Sequence, residues 1–175
     1  MDNDLLLKIR NVADFPKKGI VFRDITTLIG DNSAFRRAID LLAARYKNAG
    51  IQKVVSVESR GFIFGAPLAY VLNAGFVPIR KPGKLPAAVT RQEYSLEYGT
   101  DAIEMHTDAV LRGEKVLLLD DLLATGGTIR AACDLVKHAG GQIVGLAFLI
   151  ELTFLHGRDR LTEYDVYSVL QYDSE

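Results

Sequence analysis

Residues 115–128 read KVLLLDDLLATGGT, and no other stretch constrains the fold as tightly. Val116, Leu117, Leu118 and Leu119 form an unbroken apolar run, the pattern of a parallel strand buried on both faces. Asp120 and Asp121 follow, so the spacing predicts a strand that ends at two adjacent carboxylates. Open α/β sheets hold ligands in the crevice beyond the carboxyl ends of such strands, which aims both acids at a ligand. Ala124, Thr125, Gly126, Gly127 and Thr128 then make a small-residue turn. It opens into a helical pattern with Ile129, Ala132, Cys133 and Val136 on one face. Glycine lets backbone approach a bound group closely, and a helix start offers unpaired N–H donors, so this turn reads as a phosphate cradle. Carboxylates beside a phosphate make sense when the ligand also donates hydroxyls, as a ribose does. The pattern therefore points to a ribose 5-phosphate.

The rest of the chain suits one α/β domain with a central, mainly parallel sheet flanked by helices. Its 175 residues are 49% apolar, enough for a sizeable core. With 21 basic against 22 acidic residues, the net charge of −1 argues against a nucleic-acid or membrane-surface partner. A single cysteine excludes an internal disulfide framework, and Cys133 reads as a core residue. The first residues form neither a basic leader nor a long apolar run, which leads to the expectation of a cytoplasmic protein.

In chain order, Leu5, Ile9 and Val12 predict an amphipathic helix over residues 2–12. Proline and glycine break that pattern before the apolar group Ile20, Val21 and Phe22. Asp31, Asn32 and Ser33 offer caps to a helix carrying Phe35, Ile39, Leu42, Ala43 and Tyr46 and ending near Gly50. Val54, Val55 and Val57 form a β-branched strand running into Glu58, Ser59, Arg60 and Gly61, with a helix predicted over 62–72. A guanidinium fork beside exposed backbone donors suits a pyrophosphate. Residues 76–79 make another strand, whose end carries Arg80, Lys81 and Lys84 between prolines, a second polyanion contact. Alternation from Tyr94 to Ala109 predicts a β-hairpin that projects as a lid. Residues 143–150 and 166–170 supply the last strands. His106, His138 and His156 share no spacing with one another or with acids and read as structural or surface residues.

These strings also carry a resemblance. DDLLATGGT at 120–128, ESRGF at 58–62, RKPGKLP at 80–86 and SLEYG at 95–99 resemble the type I phosphoribosyltransferases, in the adenine-specific form of the motif. The resemblance extends from FPKKGIVFRD at 15–24 to FLIELT at 148–153, although Lys18 stands where the family often has proline. It implies a Rossmann-like domain over 1–175, with a small N-terminal hood over 1–30 and a mobile lid over 82–108. It implies transfer of a phosphoribosyl group from phosphoribosyl pyrophosphate to adenine, giving AMP and pyrophosphate, by a homodimer. In that reading Phe22 stacks on the base beside Val21 and Arg23, while Leu155 or Phe154 closes its other face. Glu97 and Tyr98 carry over to catalysis, with Glu104 a weaker second acid, and a cis peptide bond is expected at Glu58–Ser59. Magnesium is expected to arrive on the pyrophosphate, with few direct protein ligands.

Overall fold

A computed structural model describes residues 3–95 and 99–174. Five strands form one parallel sheet: β3 (Lys53–Val57), β4 (Gly75–Ile79), β7 (Lys115–Leu123), β8 (Gln142–Leu152) and β9 (Val166–Tyr172). Their spatial order is β4-β3-β7-β8-β9. The chain thus starts in the interior of the sheet, moves one way to β4, then returns past β3 to β7. The reversal between β3 and β7 is a topological switch point, where sheets of this order open a crevice for ligands.

Both faces are buried, as the apolar run predicts. Leu117 and Leu119 join Val54, Leu149, Phe64 and Leu68 on one side. Val116 and Leu118 join Val55, Ile79, Ile129 and Val136 on the other. The first face is covered by α3 (Asn32–Tyr46) and α4 (Arg60–Val71), the second by α5 (Gly127–His138). The Asp31 carboxylate caps α3 by accepting from the Ser33 and Ala34 N–H groups, both at 3.0 Å. That helix stops at Tyr46, the last residue of its apolar spacing and about one turn before the stop expected near Gly50. Ser56 is fully buried in β3 and donates to the Leu119 carbonyl at 2.7 Å, and Gly61 and Gly65 allow α4 to lie directly against it. Cys133 lies in this core, where burial pushes its thiol up to about 12.

The N-terminal region departs from the predicted helix. A single turn, α1 (Asn3–Leu6), gives way to β1 (Arg10–Ala13), which pairs antiparallel with β2 (Val21–Asp24). Leu5 and Ile9 are buried, but a turn rather than a helix brings them there: Ile9 N–H donates to the Leu6 carbonyl at 3.1 Å. The short α2 (Thr26–Ile29) follows and buries Leu28 in the main core.

The hairpin forms earlier than its alternation suggests, from β5 (Val89–Ser95) and β6 (Thr100–His106). It does not stand free. Ile103 and Met105 are buried in the second core face, and β6 is bridged to the loop after β4 by backbone hydrogen bonds between Glu104 and Arg80. No helix among the described residues is long and apolar enough to cross a membrane.

Candidate active site

The strand that carries Asp120 and Asp121 does not end at them. Residue pairing with β8 continues to Leu123↔Glu151, and this cross-strand ladder overrides the poor strand propensity of aspartate. The acids therefore lie at the β3/β7 switch point, inside the last turn of the crevice. Similarly α4 begins at Arg60 instead of residue 62, which brings the guanidinium to the helix start.

A cavity of about 300 Å³ opens there, lined by Glu58, Ser59, Arg60, Lys81, Tyr94, Asp120, Asp121 and Thr128 among others. A smaller one of about 80 Å³ shares Asp120 and Thr128 with it and is otherwise formed by residues 122–129. Residues from three strand ends and the hairpin thus converge on one point, as the separate motifs suggest. Gly126 sits at φ 81°, a left-handed conformation that starts α5 and turns the backbone around the smaller cavity. A Cβ there would lie 2.6 Å from the Gly157 carbonyl oxygen.

The charged groups of the larger cavity are paired. Arg60 Nε donates to Asp121 Oδ2 at 2.6 Å, and a second guanidinium nitrogen reaches the same oxygen. The Lys81 ammonium is held by Asp101 and by the Tyr94 hydroxyl, the latter at 3.2 Å, both on the hairpin. Arg80 Nε donates to Glu58 Oε2 at 2.7 Å, while Glu58 Oε1 accepts the Lys81 N–H at 2.6 Å. Burial alone would raise the Glu58 carboxyl, but the Lys81 N–H and Arg80 hold it below the usual carboxylate range. Asp101 is likewise lowered, chiefly by Lys81. Asp120 goes the opposite way: burial first, then the neighbouring charge of Asp121, raise it well above the usual range. The Glu58–Ser59 peptide bond is cis, as expected.

Other expected site residues fall around this centre. Phe22 meets Phe15 edge-on at 5.2 Å, and the Arg60 guanidinium lies 5.1 Å from its ring centre, so hood and crevice touch. Val21 is half-buried beside it. Leu155 is exposed on a short 3-10 turn, Thr153–Leu155, and Phe154 is half-buried there. The other expected residues differ in how free their side chains are. The Arg23 side chain is not available to a ligand: it is buried over the Tyr172 ring at 4.1 Å and donates to Asn11 Oδ1 at 2.7 Å and to the Ser174 carbonyl at 3.1 Å. Glu58 and Arg80 pair with each other across two loops, just as Arg60 and Lys81 pair with Asp121 and Asp101. Lys84 is exposed and lies outside the cavity lining. Glu104 is buried against the same loop, accepting from the Gly83 N–H at 3.0 Å. Glu97 and Tyr98 lie outside the described residues. Among the described residues, no group of three or more His, Cys, Asp or Glu side chains converges as a metal site.

Sequence reasoning passed over Asp101 and the pair Glu151–Arg158. Asp101 stands opposite Tyr94 in the hairpin register, a signal that appears only once the hairpin is paired correctly.

Comparison with known proteins agrees with this geometry. Residues 26–173 match the model of the phosphoribosyl transferase domain. The adenine phosphoribosyltransferase of Chloroflexus aurantiacus is 62% identical over 169 residues, covering 97% of this chain and 98% of that protein. The crystal structure of the adenine phosphoribosyltransferase from Thermoanaerobacter pseudethanolicus is similar at a TM-score of 0.95 and 51% identity, over 97% of this chain and 99% of that one. That from Saccharomyces cerevisiae, complexed with adenine and an imino-altritol bisphosphate, is similar at 0.92 and 37%, over 96% and 97%. A parallel sheet with its crevice at the β3/β7 reversal, a glycine cradle and these relatives lead to one assignment: the chain belongs to the phosphoribosyltransferase family, and within it to the adenine phosphoribosyltransferases.

Proposed function

We propose that this chain transfers the 5-phosphoribosyl group of phosphoribosyl pyrophosphate to adenine, releasing AMP and pyrophosphate. The observation that carries the reading is the pair of joined cavities at the switch point. One is a backbone cradle, the other is lined by cations, and Asp120 and Thr128 belong to both. A sugar phosphorylated at both ends matches that division.

In this reading the 5-phosphate rests on the N–H groups of residues 124–128, at the positive end of α5. Asp120 and Asp121 accept the ribose hydroxyls. Arg60 and Lys81 face the pyrophosphate, with Arg80 and Lys84 at its rim. Adenine lies between Phe22 and Leu155, and its edge meets backbone near Val21 and Arg23. The bond from ribose C1′ to the pyrophosphate oxygen breaks as adenine N9 bonds to C1′. Positive charge develops on the ribose and negative charge on the departing oxygens. A cation positioned at the latter is worth ~3 kcal/mol, and holding base and sugar at attack distance supplies ~7 kcal/mol or more. Glu97 takes the N9 proton and Tyr98 orients the leaving group from the lid, residues 82–108. Magnesium would arrive on the pyrophosphate and keep several waters, to which the hard oxygens of Asp120 and Asp121 at the cavity are suited. When bound, the ion offsets charge on the pyrophosphate. A cytoplasmic homodimer, with neither nucleic acid nor membrane as partner, completes the reading, supported by the family and the net charge of −1.

The test offers purified protein, magnesium and phosphoribosyl pyrophosphate to adenine, guanine, hypoxanthine, xanthine and orotate in parallel, following pyrophosphate release. Release with adenine alone is expected. Release with a different base overturns the assignment of the hood, and no release with any base overturns the transferase reading.

A further inference from the structure

The segment joining β8 to β9 is packed against the phosphate cradle backbone to backbone. Gly157 has its carbonyl oxygen against Gly126, and a Cβ on Gly157 would fall well inside contact distance of the Ala124 carbonyl oxygen. Cradle and segment therefore have no room to move independently. The next residue is Arg158, whose Nε and NH2 grip both oxygens of Glu151 at 2.5 and 2.6 Å and whose NH1 donates to the Val166 carbonyl at 2.9 Å. Glu151 is almost fully buried and is further held by the Ser168 hydroxyl at 2.7 Å and the Gln171 amide at 3.3 Å. It stands in register beside Leu123, the residue that leads into the cradle. The network thus pins Gly157 from both neighbouring strands, and Gly157 in turn backs the turn at residues 124–126. The Glu151 carboxylate is buried while the Arg158 side chain stays partly exposed, and the fixed bidentate geometry of the pair suits positioning.

We infer that Arg158, seated on Glu151, is a positioning residue that sets the shape of the 5-phosphate cradle through Gly157. It touches no ligand itself. The inference rests on the reading that residues 124–128 take the 5-phosphate. Its consequence is selective: loosening Arg158 weakens ligands that carry the 5-phosphate and spares the same ligands without it.

The experiment compares AMP with adenosine by calorimetry on the full chain. The wild type is expected to bind AMP at least about tenfold more tightly. Arg158→Met is expected to lose about tenfold in AMP affinity with adenosine affinity unchanged, and Arg158→Lys to recover part of the loss. Because Arg158→Met removes the partner of a buried carboxylate, Ser168→Ala serves as a milder variant, with a loss of about two- to threefold for AMP only. A wild-type chain that binds AMP and adenosine alike overturns the phosphate reading. A wild-type preference for AMP that both variants retain in full overturns the inference alone.

Discussion

The two ends of the candidate site are built from different materials. At the cradle, residues 124–128 offer backbone N–H groups held by a left-handed glycine and by the Gly157 packing. At the cation end, each of three charges is bound to an acid of this chain: Arg60 to Asp121, Arg80 to Glu58 and Lys81 to Asp101. The first end is ready for a ligand as it stands. The second must exchange partners, since a pyrophosphate competes with the acids for Arg60 and Lys81. Backbone geometry is set once on folding, whereas paired side chains keep opposed charges satisfied until the anion arrives.

The largest effect expected from this contrast is at Arg60. Arg60→Ala removes the cation and leaves Asp120 and Asp121 facing each other, so kcat/KM for the ribosyl donor should fall by ~10²-fold or more. Steady-state kinetics would break the contrast if the loss were below tenfold. Next is Gly126→Ala, which forces a side chain into a left-handed turn and against Gly157. A cost of ~1–3 kcal/mol is expected, seen as a lower melting temperature, together with weaker ribose 5-phosphate binding and unchanged pyrophosphate binding. Equal losses for both ligands would show that the ends are not separate.

How much of this was legible beforehand depends on the range of the interaction. The strand Lys115–Leu123 and the helix after it were readable because burial on both faces and the glycine turn are local patterns. Leu5, Ile9 and Val12 misled because helical spacing is also satisfied by one turn followed by a strand, and Arg10–Ala13 lacks alternating burial. The ion pairs could not be read at all: Arg60 and Asp121 lie 61 residues apart, and only the parallel crossover brings them together. Arg23 illustrates the same limit, since its partner Ser174 is 151 residues away.

A pH effect sharpens the contrast further. Asp120 is raised above its unfolded value by burial and by Asp121, so its charged form opposes folding. That cost is present above the folded pKa and disappears as pH falls through it toward the unfolded value. Asp120→Asn, whose side-chain oxygen can still accept the Asp121 N–H, should therefore melt a few degrees higher than wild type near pH 8, at ~2–4 °C per kcal/mol. The gap should close toward pH 4, while activity falls through loss of the hydroxyl acceptor. Melting curves across that range check it; a constant gap would remove the charge explanation. The smallest effect is expected at Asp101. Asp101→Asn removes the charge that holds Lys81 and leaves the Tyr94 hydroxyl, and because that pair is partly exposed the gain in pyrophosphate affinity should be only about twofold, shrinking with added salt.

A crystal structure with phosphoribosyl pyrophosphate and magnesium bound bears most directly on the difference between the two ends. The expected result is a cradle backbone at residues 124–128 superposing on the ligand-free one, with the Lys81 ammonium moved from Asp101 to the pyrophosphate. A rearranged cradle beside an intact Lys81–Asp101 pair would contradict it.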